Sequence, residues 1–269
     1  MIIEQNYWIM EKGFTLIIPL YNKVNCVRQT LDSVLNNHGE YPFKCIIVDD
    51  DSTDGSSGIA MEYDEKYPDI FMYIKKKHHG NKTSVFAKNL AIKLVETEYV
   101  GFLDADDELC SGFIDRGCVF LDGHPEYSAY GNGFIYNGIN GIWDCNYSTS
   151  GCMYFPECFI DNNFGITFCS HIYRTELVKK NLFDDCYHEG YVFKFKYIYN
   201  NEPIYVDNTT CDSIKYNEIN SESYFIWEKQ VDNNNNLCEK VFNELERVIP
   251  DFKYDYRIDE NGKLWFWEK

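Results

Sequence analysis

The sequence predicts an α/β fold: a mostly parallel, doubly wound sheet flanked by helices. Three observations predict it. Short apolar runs alternate with helical patterns, two of those runs end in clusters of acids, and 45% hydrophobic with 17% aromatic residues supply enough apolar surface to cover both sheet faces. The 269 residues suffice for one large domain or two small ones.

The first half supports this element by element. FTLIIPL, from Phe14, is a continuous apolar run of the kind buried on both faces in a parallel sheet, and Pro19 is expected to stop it. Val24, Val27, Leu31, Val34 and Leu35 then recur at helical spacing. KCIIVDD, from Lys44, is a second buried strand ending in acids, and STDGSSGIAMEYDEKY opens with a Ser/Thr/Asp cluster suited to capping a helix. IFMYIKK, from Ile70, reads as the third strand, SVFAKNLAIKLVE as an amphipathic helix, and YVGFLDADD as a fourth strand ending in acids. Sheets of this kind bind ligands at the carboxyl ends of their strands, where both acidic clusters fall.

The second half changes character. From Ala129 to Phe168 the chain is rich in Gly, Asn, Tyr and Cys, which predicts short, irregular aromatic strands. Helical periodicity returns around RTELVKKN and YVFKFKYIYNN. Beyond these, NNNN (Asn233–Asn236) is a linker or a helix start, and Leu237, Val241, Leu245 and Val248 mark one helix face. FKYDYRIDENGKLWFW alternates about Asn261–Gly262, a hairpin signal.

Composition narrows the function. With 43 acidic against 25 basic residues the net charge is −18, which argues against nucleic acid as a partner and leaves room for a divalent cation. The 11 cysteines show no CxxC and no zinc-ligand spacing, so they read as reduced thiols used as small hydrophobes in the cytoplasm. The N-terminal MIIEQNYWIMEKG lacks the pattern of a signal peptide, and no run reaches the roughly 18 apolar residues of a membrane span. That excludes an integral anchor from the expectation and leaves peripheral membrane association open. The sequons at Asn81, Asn146 and Asn208 are then chance matches.

Three constellations carry the chemistry. Asp104, Asp106 and Asp107 place a D-x-D arrangement just past a strand, where mutual repulsion calls for a cation or ordered hydrogen bonds. Oxygen-only ligands suit Mg²⁺ or Mn²⁺, which keep positions for diphosphate oxygens. Asp49, Asp50 and Asp51 end the neighbouring strand, where a carboxylate can accept a base imide N–H or cap the next helix. In IIPLYNK, Tyr21 can stack on a base or simply pack.

In order and spacing, IIPLYNK, VDDDSTDGS and AKNLAIKLVETEYVGFLDADDEL resemble glycosyltransferase family 2 with its GT-A fold. The likeness is close from Phe14 to Leu109 and thinner from His171 to Tyr216. It implies a Rossmann-like catalytic domain over 1–228, with a nucleotide-sugar-binding half at 14–128 and a smaller acceptor-side half at 129–228. A helix-and-hairpin appendage follows at 229–269. It further implies inverting transfer of a sugar, most often from a UDP-sugar, to a hydroxyl on a glycan, lipid-linked or protein acceptor.

The resemblance also distributes roles. Pro19 and Tyr21 would contact the base, Asp50 would read it, Asp104 would touch ribose or sugar, and Asp106 would ligate Mn²⁺ or Mg²⁺. Lys88 and Asn89 stand where the family has Arg-Asn, near the diphosphate; Lys keeps the charge and loses the bidentate fork. Asp51 replaces a family glycine, which is tolerable where the backbone avoids positive φ, and Asp is among the milder choices. The family's E-D-x-x-F, whose Asp is commonly the base, is matched by HEGYVF, with Glu189 in the Glu position and Gly190 in place of the Asp. The base is then Glu189, which we favour, or His188 or the Asp184–Asp185 pair, or it is lost and the chain only binds its donor. His188 otherwise reads as an exposed helix cap. The Lys75–His79 run reads as a solvated strand end rather than a diphosphate clamp, and NSES after Tyr216 resembles the family's loop over the donor. A dinucleotide-binding oxidoreductase is disfavoured because no GxGxxG follows the first strand, and a nucleotidyltransferase because PLYNKVN is not a glycine-rich basic loop.

Overall fold

The computed structural model describes residues 10–37, 39–78, 84–138, 141–146, 149–155, 168–186, 188–216, 234–258 and 264–269. Its first half alternates as the sequence predicts: β1 (Glu11–Leu20), α1 (Val27–Leu35), β2 (Phe43–Asp49), α2 (Ser56–Lys66), β3 (Phe71–Lys75), α3 (Val85–Leu94) and β4 (Thr97–Phe102). These strands form a parallel sheet in the order β3-β2-β1-β4, with Leu16 opposite both Cys45 and Gly101. Alternation along β1 explains its unbroken apolar run. Leu16, Ile18 and Leu20 belong to a core beneath α1, whereas Ile17 faces a second core shared with α3. Both faces are dry, so neither can be polar.

Pro19 does not stop β1; the strand continues to Leu20, and Pro19 pairs with Val48. The reason lies in the neighbour. Ile17 O accepts from Leu103 N at 3.0 Å on the β4 side, and Pro19, two residues on, points to that side after β4 has ended. Its missing N–H therefore costs no ladder bond.

The second half adds β5 (Glu108–Leu109), α4 (Phe113–Gly123), β6 (Ala129–Gly138), β7 (Gly141–Cys145), β8 (Gly151–Met153), a 3₁₀ turn (Phe168–Ser170), β9 (His171–Arg174), α5 (Thr175–Lys180), α6 (Glu189–Asn201) and β10 (Ile204–Tyr216). The sheet extends as β4-β9-β6-β10-β5, with β9 antiparallel between β4 and β6. The expectation of only short strands after Ala129 needs correction: β6 runs for 10 residues and pairs with β7, β9 and β10. Glycines at 131 and 133 disguise it, and at Gly131 a Cβ would meet the His171 ring at 2.5 Å. That close approach is why no larger residue is used there.

NNNN starts a helix, α7 (Asn234–Val248), and β11 (Tyr254–Ile258) pairs antiparallel with β12 (Leu264–Glu268); the predicted Asn261–Gly262 turn lies outside the described residues. Val241, Phe242, Leu245 and Phe252 join the same core as Phe193 and Phe102. Among the described residues no helix is long and apolar enough to cross a membrane, and Cys45, Cys118, Cys169 and Cys186 are buried thiols outside any disulfide.

Candidate active site

The loop after β1 ties the two acidic clusters to one cleft. Asn22 donates its N–H to Ser52 Oγ at 3.0 Å and accepts from Thr53 N at 2.8 Å. Lys23 N donates to Ser56 Oγ at 2.7 Å, and Val24 N to Asp54 Oδ2 at 2.9 Å. These four bonds fasten the loop to the turn after β2. From the same loop the Lys23 ammonium reaches Asp106 Oδ2, 2.5 Å away, past the end of β4. Asp50 and Asp106 thus flank Tyr21–Lys23 from either side.

The three acids after β2 divide their labour. Asp49 is fully buried and accepts from Ser52 N at 2.9 Å, from Tyr73 OH at 2.7 Å and from Ser57 Oγ. Burial raises its carboxyl, but the hydrogen bonds from Ser57, Tyr73 and Ser52 outweigh that and hold it below the usual range. It is a structural anchor. Asp50 faces the cleft, with Lys76 Nζ on Oδ1 and His78 Nδ1 2.8 Å from Oδ2. Since a carboxylate only accepts, Nδ1 carries the proton. The His78 ring lies flat on Tyr21, 4.8 Å between centroids and 9° from parallel. Asp51 pairs with Lys75 at 3.0 Å and sits at φ 64°. The backbone condition expected for a non-glycine residue is therefore not met. Asp occupies the left-handed region outright, a conformation its short polar side chain tolerates better than most.

Past β4, Asp107 is buried and its N–H closes a turn on Asp104 O at 3.0 Å. Asp104 and Asp106 are partly exposed. Among the described residues no three His, Cys, Asp or Glu side chains gather as a ready-made cage. The donor set nonetheless fits Mg²⁺ or Mn²⁺, which are typically held by one or two carboxylates with phosphate oxygens and water filling the remaining positions. The Lys23 ammonium at Asp106 shows that this carboxylate accommodates a cation.

Glu189, which opens α6, meets the start of α3, the helix that follows β3. Its Oε1 accepts from Lys88 Nζ at 3.2 Å and from Ser84 Oγ at 3.1 Å. The Lys88 side chain is buried, with its ammonium 4.4 Å from the Phe168 ring centroid and 5.0 Å from that of Phe183. Asn89 instead stitches α3 to the chain before α6, bonding Phe183 through both its amide atoms at 2.9 and 3.0 Å. At Gly190 a Cβ would lie 2.4 Å from the Phe168 ring, so any larger residue there forces that ring to shift. His188 caps α6 at φ 64°, half-buried rather than exposed, and burial with Lys240 nearby lowers its imidazole below the usual value. Asp184 is committed to Lys196.

Sequence reasoning therefore missed Lys23, Lys76, His78 and Ser84 as site residues. Lys76 and His78 carried a signal: they follow β3, which neighbours the strand ending in Asp49. His79 and the NSES stretch lie outside the described residues. A cavity of about 410 Å³ lined by Thr15, Ile46, Phe71 and Thr97 sits at the opposite, amino ends of the strands and belongs to no part of this cleft.

Residues 15–182 match the model for Glycosyl transferase family 2. The chain is 35% identical over 112 residues, 41% of its length, to the minor teichoic acid biosynthesis protein GgaB of Bacillus subtilis, of which it spans only 12%. It superposes on S. aureus TarS 1-349 in complex with UDP-GlcNAc with a TM-score of 0.64 at 19% identity, covering 87% of this chain and 71% of that one. A mannosyltransferase from Pyrobaculum calidifontis in complex with GDP-Man and Mn²⁺ gives a TM-score of 0.62 at 16% identity, covering 91% and 69%. The fold is that of GT-A glycosyltransferases.

Proposed function

The chain belongs to glycosyltransferase family 2, and from that premise we propose that it transfers a sugar, with inversion, from a UDP-sugar to a hydroxyl acceptor with the help of Mn²⁺ or Mg²⁺. One observation carries the donor assignment: Tyr21 and Asp50 together hold a flat ring whose N–H points at the carboxylate. Lys76 occupies Oδ1, so the site offers one accepting oxygen beside one ammonium donor. A uracil imide, an N–H next to a carbonyl, matches that pair. Adenine presents no ring N–H on its pairing edge, and guanine would bring two adjacent donors.

The chain's residues then act as follows. Tyr21 stacks on the base and Asp50 accepts its imide N–H. Lys23 turns from Asp106 towards a phosphate oxygen. Asp104 touches the ribose or sugar, and Asp106 would hold the cation, which when bound offsets charge on the departing diphosphate. Glu189 takes the proton of the acceptor hydroxyl as that oxygen attacks the anomeric carbon, while Lys88 and Ser84 fix the carboxylate in place. The name of GgaB supports a polymer hydroxyl as the acceptor class.

A second reading, nucleotide-sugar binding without transfer, is favoured by Gly190, tight against the Phe168 ring, in place of the usual carboxylate. A screen for UDP release across nucleotide sugars with Mn²⁺ and Mg²⁺ decides between them. Metal-dependent release from one donor supports transfer; UDP binding without release from any donor, with acceptor polymers present, supports the silent reading.

A further inference from the structure

His78 stands out because it reproduces both contacts that Tyr21 and Asp50 would give a nucleobase. Its imidazole is planar, stacked within 9° of Tyr21 at 4.8 Å, and its Nδ1–H points at Asp50 Oδ2 over 2.8 Å. Of its side chain 30% is exposed, against 14% for Asp50. Lys76, by contrast, holds the other carboxylate oxygen.

We propose that His78 is an internal stand-in for the nucleobase, seated on Tyr21 and Asp50 in the free protein and displaced by the base of the incoming donor. The inference rests on the reading of Tyr21 and Asp50 as the base site and adds a competitor to it. Two flat rings cannot share one stacking face and one carboxylate oxygen, so His78 must leave before a base can enter. A pocket open only part of the time binds with an apparent affinity reduced by the open fraction. The imidazole covers one face of Tyr21 and holds one oxygen of Asp50 while no donor is bound. It also sets a threshold, because only a ring that both stacks and donates an N–H regains what displacing His78 loses.

The test is titration of UDP, with manganese present, into the wild type, His78→Ala and Asp50→Asn. We expect His78→Ala to bind about tenfold more tightly, equivalent to about 1.4 kcal/mol, and Asp50→Asn to bind more weakly. Equal or weaker binding by His78→Ala, with Asp50→Asn still impaired, would overturn the stand-in while leaving the base site intact. UDP binding insensitive to Asp50→Asn would remove the base site, and the stand-in with it. A second readout is independent of affinity. The His78 imidazole C–H resonance should be shifted upfield by the Tyr21 ring in the free protein and lose that shift on saturation with UDP. A shift that persists at saturation would mean that the histidine never leaves.

Discussion

The carboxylates proposed for the donor and acceptor sides are held in opposite ways. On the donor side Asp50 is met by Lys76 and His78 and Asp106 by Lys23, all from neighbouring loops. These partners are partly exposed and can be exchanged for ligand. On the acceptor side Glu189 is fastened to Lys88, whose side chain is 2% exposed and wedged against two phenyl rings. On the proposed assignment, the donor-side carboxylates are held by replaceable ion pairs, while the proposed base is held by packing.

The largest way to break this contrast is Glu189→Gln. General-base loss costs roughly 10²–10⁴ in rate, so UDP release should fall by about that factor while UDP affinity holds. Turnover equal to wild type would move the base to another residue and make the acceptor side ordinary packing. Next, Lys88→Met should destabilise the fold by about 3 kcal/mol, because Glu189 loses a partner whose side chain is buried, 2% exposed against 29% for Lys23. The matching change on the donor side, Lys23→Met, should cost well under 1 kcal/mol, since partly exposed pairs contribute little. Similar losses in denaturant midpoints for both variants would erase the distinction.

Gly190→Ala sharpens the point. The added methyl meets Phe168, which is packed 5.7 Å from Phe102 and 5.6 Å from Phe183, so the ring has little room to move. Overpacking of this kind costs about 1–3 kcal/mol, and an unchanged melting temperature would show that the pocket is slack. Smallest is Asp51→Gly, which relieves a left-handed residue and forfeits a half-exposed pair with Lys75. A net gain of up to about 1 kcal/mol is expected; a loss would mean that the Asp51 side chain does more than pair.

The same contrast explains what could be read in advance. The parallel strands, their order of acids and the turn residues were legible because continuous apolar runs and D-x-D endings are local patterns. Asp50 and Asp106 follow from strand ends alone. Glu189 was legible only through its resemblance to a familiar helix start, and its partnership with Lys88 joins residues 101 positions apart. Phe168 against Gly190 leaves no trace in composition or period, since it is a steric fact of two distant segments meeting. His78 sat inside a basic run, where charge drew attention to solvent and away from the flat ring. Strand β6 was hidden by glycines, one of which, Gly131, the close approach of His171 explains.

The central claim is that acids at the tips of β2 and β4 serve one nucleotide-diphosphate cleft with a cation at Asp106. Calorimetric titration of UDP with and without manganese, in wild type and Asp106→Ala, tests it most directly. Binding should be tightened by manganese in the wild type and lose that dependence in the variant. Equal manganese dependence in both proteins, or none in the wild type, would contradict the account.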